Sequence, residues 1–282
     1  MGKAATMTTT NPAKPVRVLS LGAGVQSTTV LLMMLHGEIE KAEHAVFADT
    51  GWEPRAVYEH LKSLLPLMDG AGIHFHQVSN GNLRQDAENL GRFASMPFFI
   101  RNEDGTSGIT RRQCTNEYKL TPLLNKQREL AGLAKGQRSK VHLLTSVIGI
   151  SFDEAQRMRD PHRAWMKNDY PLVDLEMTRS DCLRWCKERG YKQPPRSACI
   201  GCPFQTDERW RNLRDNQPDE WKDAVAFDRY LRTDSFRQKS GLRGAVYLHK
   251  SLVPLDEVDL RTAEEHGQFR LFDLECQGMC GV

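Results

Sequence analysis

Seven cysteines stand in this 282-residue chain, and their spacing is uneven. Cys199 and Cys202 bracket a Cys-Ile-Gly-Cys turn followed by Pro203 and Phe204. Two sulfurs at this spacing can converge on one ion, so the pair reads as half of a metal site. Two thiolates do not complete it. Cys276 and Cys280 near the end compete for a remaining place, with Cys182 or Cys186 as the further alternative. Cys182 and Cys186, four residues apart on an amphipathic pattern, read as packing residues. In a reducing compartment such thiols point to metal, redox or nucleophilic chemistry rather than to structural disulfides. A second constellation is the loop at residues 20–28 (SLGAGVQST). Its glycines allow a tight turn that brings backbone N–H groups onto phosphate oxygens, and Ser27 and Thr28 add hydroxyl donors. It lacks the Gly-Lys-Ser/Thr of a Walker A loop and the spacing of a dinucleotide fingerprint.

These residues need a frame. Residues 16–21 (VRVLSL) are short, apolar and β-branched and run straight into the glycine loop; residues 27–36 read as a buried helix. Strand, glycine turn and helix open a parallel α/β sheet. Residues 45–48 predict a second strand ending at Asp49-Thr50-Gly51. Pro54 then starts a helix carrying Val57, Leu61, Leu64 and Leu65 on one side. Residues 73–78 predict a third strand, in which His74 and His76 alternate as ordinary strand residues. Residues 141–150 predict a fourth. Residues 79–108, rich in glycine and charge, read as a loop or lid beside the site. A helix is expected over 178–189 with Thr178 or Ser180 as its cap, and another over 208–231, interrupted near Pro218.

The expected architecture is α/β, an open, mostly parallel sheet with helices on both faces, followed by a helical segment that carries cysteines. The expected division is a disordered lead-in at 1–15, a nucleotide-binding domain at 16–175 and a helical region at 176–282. Hydrophobic content of 39% and charged content of 27% suit a soluble globular chain. No apolar run reaches the roughly 20 residues that span a bilayer, and the start lacks a secretory h-region, so cytoplasm is the expected compartment. Net charge is only +3, but residues 101–140 carry nine Lys/Arg against four Asp/Glu. That stretch is either a phosphate-attracting face or a solvated helix surface.

Four segments, in order, carry a resemblance. Residues 20–28 resemble the PP-loop, usually written Ser-Gly-Gly-x-Asp-Ser, in the looser form of the phosphoadenosine-phosphosulfate reductase family. Ser20, Gly22, Gly24 and Ser27 match, whereas Gln26 takes the place of the usual Asp. Residues 47–53 (FADTGWE) resemble the family's Asp-Thr-Gly stretch after the second strand. Residues 114–123 (CTNEYKLTPL) resemble its cysteine–lysine–proline motif, and residues 149–157 (GISFDEAQR) its Gly…Glu-x-x-Arg motif. Pro171-Leu172 fits a further short element, so the resemblance covers roughly residues 16–175.

The resemblance implies that the loop holds the phosphates of ATP with Mg²⁺, that Asp49 and Thr50 lie near the nucleotide, and that Gly149 and Glu154 border it. It implies that Lys119 and Arg157 counter phosphate or sulfate charge, with Arg111 and Arg112 close by. It also implies that Cys114 is an iron–sulfur ligand, the third beside Cys199 and Cys202; a [4Fe–4S] cluster on these three is the expected group, with Cys280 or Cys276 as its fourth ligand, and zinc and a redox dithiol are the alternatives. Two departures bear on activity. Gln113, not a second cysteine, precedes Cys114, and the tail at 275–282 (ECQGMCGV) keeps Glu-Cys but lacks the family's histidine.

Three functions follow. One is ATP-dependent sulfur insertion into nucleic acid, in which adenylation activates an oxygen of a DNA phosphate or a tRNA base and a cysteine desulfurase or other partner delivers sulfur. This is similar to the ATP pyrophosphatases of DNA phosphorothioation and the cluster-dependent tRNA thiolases. The second is sulfonucleotide reduction with Cys276 as nucleophile. The third is a non-enzymatic nucleotide- and cluster-binding module of a complex. Oligomeric state is open.

Overall fold

The computed structural model describes residues 14–89, 96–261 and 265. Five parallel strands form the main sheet: β1 (Val16–Ser20), β2 (His44–Asp49), β3 (His74–Ser79), β6 (Leu144–Ile148) and β7 (Met166–Asp169), in the order β3-β2-β1-β6-β7. The strand order reverses between β1 and β6, whose paired residues run from Val16 opposite Leu144 to Ser20 opposite Ile148. At such a reversal the two flanking loops leave in opposite directions and open a crevice at the carboxyl ends of the strands. The glycine loop leaves β1 on one side of it, and Gly149 leaves β6 on the other.

Alternation along the strands fills both faces. Leu19, Ala45 and Phe47 pack with α1 (Val25–Leu35), α2 (Arg55–Gly70) and α6 (Arg179–Glu188), while Val18, Val46 and Leu144 pack with Trp165 and the apolar residues of α4 (Thr121–Leu130). The α/β expectation is therefore met, helices on both faces included. α6 begins at Thr178, whose hydroxyl accepts from Asp181 N–H while the Asp181 carboxylate returns a bond to the Thr178 N–H, a reciprocal capping box.

A second core lies beside the first. It joins α3 (Leu83–Asn89), the antiparallel pair β4 (Phe99–Arg101) and β5 (Ser107–Ile109), α7 (Asp207–Asn216), α8 (Pro218–Tyr230), α9 (Asp234–Ser240) and β8 (Ala245–Tyr247). Trp52, at the end of the Asp-Thr-Gly stretch, belongs to this core, as do Cys199 and Ile200. A short helix α5 (Pro171–Asp174) closes the β7 end. No helix among the described residues is long and apolar enough to cross a membrane.

The structure departs from the sequence reading in three places. Residues 79–108 are not a single loop. They contain α3 and a hairpin whose turn, Asn102 to Gly105, reverses the chain with Gly105 at φ 82°, and β4 is held on its other edge by β8. Leu65 is exposed, and Met68 completes the buried stripe of α2 with Val57, Leu61 and Leu64, because at about 100° per residue those four fall within about 60° of arc and Leu65 lies beyond its edge. Strand β7 arises from residues too mixed in character to predict a strand; it pairs along β6.

Candidate functional site: a glycine-loop cavity beside a cysteine chamber

The crevice at the strand reversal holds a cavity of about 190 Å³. Ser20, Gly22, Gly24, Gln26 and Ser27 line one side, Gly149, Glu154 and Arg157 another, and Lys119, Arg179, Arg196 and Arg209 add charge. Local chemistry explains the loop. Gly22 N–H donates to Ser27 Oγ at 3.1 Å, and Ser27 Oγ in turn donates to the Gly24 carbonyl at 3.4 Å. Ala23 adopts a left-handed φ of 55°, a conformation that costs a residue with a Cβ roughly 1–2 kcal/mol. No side chain caps α1 at Gly24, so its first-turn N–H groups remain available to an anion at the helix's positive end. Gly149 is needed for contact: a Cβ there would lie 2.7 Å from Ser27 N and 2.8 Å from Ser27 Cα.

Gln26 bridges opposite charges. Its amide nitrogen lies 3.3 Å from Glu154 Oε2 and 3.5 Å from Ser151 Oγ, and its oxygen accepts from Arg179 at 3.3 Å. Arg157 pairs with the same Glu154 oxygen at 2.6 Å. Asp49, expected near the nucleotide, does not line the cavity. Its carboxylate accepts from Gly51 N–H, Tyr58 O–H and Gln77, each at 2.8 Å, and so holds the β2 turn. Thr28 is buried and hydrogen-bonded to His60 at 3.0 Å.

Next to this cavity lies a smaller chamber of about 30 Å³, lined by Cys114, Cys199 and Cys202 with Thr50, Arg112, Lys119, Pro203 and Phe204. Cys114, distant in sequence, thus faces the same space as the Cys199–Cys202 pair. Lys119 and Phe204 belong to both walls. A π-helical turn, Thr115–Leu120, carries Lys119 from Cys114, a backbone form that recurs at functional sites. Lys119 Nζ stands 3.3 Å from Glu53 Oε1. Glu53 is buried, and the Thr50 hydroxyl donates to it at 3.1 Å. Its Oε2 has no hydrogen-bond partner among the described residues. Burial, reinforced by the Glu53 carboxylate, pushes the Cys199 thiol far above its ordinary value. Burial raises Cys114 too, opposed by Arg112 and Lys119. Arg112 lies over the Phe204 ring at 5.3 Å; Arg111 lines neither cavity.

The donor set suits a thiophilic group, because a buried thiol that ionises needs a cation to compensate its charge. The geometry speaks to which one. Among the described residues no three His, Cys, Asp or Glu side chains are grouped to hold one ion, whereas tetrahedral zinc with bonds of about 2.3 Å needs its sulfurs about 4 Å apart. The chamber as it stands has room for about two waters, so a cluster would require its walls to part. Cys276 and Cys280 lie outside the described residues. Cys182 and Cys186 are buried on α6 against α1, with the Cys182 thiol pushed up to about 12.

Sequence reasoning missed Arg179, Arg196, Arg209, Glu53 and Gln205. Arg196 and Arg209 flank the Cys-Ile-Gly-Cys turn at three and seven residues, and a basic pair around a cysteine motif was the available signal. His74 and His76 lie in β3, as expected of strand residues; His76 Nε2 lies 3.1 Å from His44 Nδ1, and the His74 ring is tilted beside His44.

Fold and site together define an open parallel α/β protein whose crevice at the strand reversal is lined by a glycine loop and by lysine and arginine side chains. No protein-family model and no curated protein matches the chain. Among solved structures it is similar to the phosphate complex of phosphoadenylyl-sulfate (PAPS) reductase from Candida auris, at 13% identity over 64% of this chain and 76% of that chain, with a TM-score of 0.41.

Proposed function

We propose that this chain is an ATP-dependent sulfur-transfer enzyme of the PP-loop, phosphoadenosine-phosphosulfate reductase-like class. It activates an oxygen of a nucleic acid, a DNA phosphate or a tRNA base, for replacement by sulfur. The observation that carries this reading is the common wall: Lys119 and Phe204 border both the glycine-loop cavity and the three-cysteine chamber. A nucleotide site and a sulfur-handling site one side chain apart are what activation followed by substitution requires.

In the first step the acceptor oxygen attacks the α-phosphorus of ATP and pyrophosphate leaves. In the second, the terminal sulfur of a persulfide on a cysteine desulfurase or similar partner attacks the activated centre, AMP leaves with the original oxygen, and a thiol then cleaves the S–S bond to release the thiolated product and a disulfide. The α1 N-terminus and the Gly22 and Gly24 backbone would cradle the phosphates. Mg²⁺, Lys119, Arg157, Arg179, Arg196 and Arg209 would offset the charge that develops on pyrophosphate. Cys114, Cys199 and Cys202, with Cys280 as fourth ligand, would hold a [4Fe–4S] cluster, whose chemistry is to carry sulfur or electrons beside the activated oxygen.

A second reading has one specific support. The glycine loop carries Gln26 where a metal-binding carboxylate is usual, and the cavity's positive charge comes from Arg and Lys, which suits a sulfonucleotide bound without Mg²⁺. Cys276 would then be the nucleophile. The test is anaerobic protein incubated with ATP and Mg²⁺, with and without DNA or tRNA, and separately with a sulfonucleotide and a thiol reductant. AMP and pyrophosphate that depend on nucleic acid would support sulfur transfer. Sulfite release would replace it with reduction, and neither product would leave a binding module.

A further inference from the structure

The segment after the cysteine turn is built as a sequence of short returns. Cys202 N–H donates to the Cys199 carbonyl at 3.1 Å, and Gln205 N–H donates to the Cys202 carbonyl at 3.2 Å. Thr206 then caps α7, its hydroxyl accepting from Arg209 N–H at 3.3 Å. Within two turns the chain passes from a cysteine lining the chamber to an arginine of the glycine-loop cavity.

Gln205 spans the same distance through its side chain. It is only 7% exposed. Its amide nitrogen donates to the Ile200 carbonyl at 2.6 Å and lies 3.5 Å from that of Cys199. Its amide oxygen accepts from Arg209 Nε at 2.9 Å. The orientation is fixed by chemistry: only the NH₂ can face two carbonyls, and only the oxygen can receive a guanidinium N–H. Arg209 also reaches the Arg196 carbonyl at 3.4 Å, and both arginines line the cavity where phosphate charge would sit. A buried amide bonded at both ends cannot release one partner without leaving a polar group unsatisfied. The cysteine turn and the Arg209 guanidinium therefore move together or pay that cost.

We propose that Gln205 is a positioning residue that sets Arg209 for phosphate binding according to the state of the Cys199–Cys202 turn, so that the two cavities report on each other's occupancy. The reading that phosphates bind in the glycine-loop cavity is assumed here. By linkage, a ligand that draws on Arg209 must restrain the turn, and a restrained turn must favour that ligand equally. Cys202 lines the chamber and not the glycine-loop cavity, so its reactivity senses the turn rather than the nucleotide directly.

The experiment measures Cys202 alkylation by iodoacetamide in protein reduced and stripped of metal by chelation, read by peptide mass spectrometry, with and without saturating ATP, while calorimetry gives ATP affinity. The wild type is expected to show Cys202 alkylation slowed about fivefold by ATP. Gln205→Glu keeps a partner for Arg209 but sets oxygen against the Ile200 and Cys199 carbonyls. It should still bind ATP and lose the protection. Arg209→Ala, which takes the guanidinium away from the Gln205 oxygen, should bind ATP more weakly and also lose the protection at saturation. Equal protection in wild type and both variants would overturn the proposal and leave simple blocking of access. ATP binding without any effect on Cys202 in the wild type would overturn it as well. Absence of ATP binding in the wild type would overturn the underlying reading of the cavity and, with it, this role for Gln205.

Discussion

Gly201 packs directly on the six-membered ring of the Trp52 indole: a Cβ at Gly201 would come within 2.0 Å of ring carbon Cη2 and 2.6 Å of Cζ3. Trp52 is itself pinned, its Nε1–H donating to Asp223 at 2.6 Å and its carbonyl accepting from Ile200 N–H at 3.0 Å. The indole therefore cannot retreat cheaply. This contact joins the Asp-Thr-Gly stretch that follows β2 to the cysteine turn, and so fixes the two cavities relative to one another. The glycine in Cys-Ile-Gly-Cys thus serves packing as much as turn closure.

Gly201→Ala is expected to destabilise the protein by about 1–3 kcal/mol, the usual cost of overpacking, and to raise the alkylation rate of Cys199 as the turn lifts from the indole. Thermal unfolding followed by circular dichroism, with peptide-level alkylation, checks both. Unchanged melting with unchanged Cys199 protection would show that the contact relaxes without strain.

Gly149→Ala tests the other close approach. The added methyl would meet the backbone of Ser27 at 2.7–2.8 Å, so the start of α1 must move away from the end of β6. ATP affinity is expected to fall at least about tenfold, roughly 1.4 kcal/mol, with the sheet intact by circular dichroism. Calorimetric titration with wild-type affinity would mean that the glycine loop does not hold the phosphates.

The frame was legible where one local rule decided the outcome. β1, the glycine loop and α1 follow from a β-branched run meeting Gly22 and Gly24, and α6 from Thr178 with Asp181 three residues on. The Cys114, Cys199 and Cys202 grouping was readable only through motif order, since 85 residues separate the first two and tertiary packing alone brings them to one chamber. Asp49 illustrates the limit. Its residue type admits a nucleotide contact or a turn, and the choice depends on Tyr58 and Gln77, which reach it from α2 and β3. The hairpin at 99–109 was missed although Asn102 to Gly105 is a turn signal, because its flanking strands are three residues each and mix charge with apolar side chains.

Acid should weaken the fold through its histidines. Burial holds His60 below the ordinary imidazole value of 6.5, and burial also lowers His249, opposed by Asp207. The folded state then binds fewer protons than the unfolded chain near and below that value. Stability is complete above 6.5 and declines as pH falls through it. The melting temperature is expected to drop by several degrees between about pH 7.5 and about pH 5.5. His60→Gln, which keeps a partner for Thr28, should recover part of the drop; an identical pH slope in that variant would assign the effect elsewhere.

The last prediction concerns Gln26. As an amide it donates toward Glu154 and accepts from Arg179, bridging an acid and a base that already meet Arg157 and the cavity. An aspartate in its place can accept from Arg179 but cannot donate to Glu154. Two carboxylates would then face each other, and the cavity would lose one unit of positive charge. Without Mg²⁺, Gln26→Asp is expected to bind ATP about tenfold more weakly than the wild type, a change of roughly 1.4 kcal/mol. With Mg²⁺ the new carboxylate gains a cation to hold, and the deficit should shrink or reverse. The pair of affinities, each measured with and without Mg²⁺, separates charge from shape. A deficit that Mg²⁺ leaves untouched would mean that Gln26 acts through the packing of the loop, and that the arginines meet the phosphates without help from a metal ion.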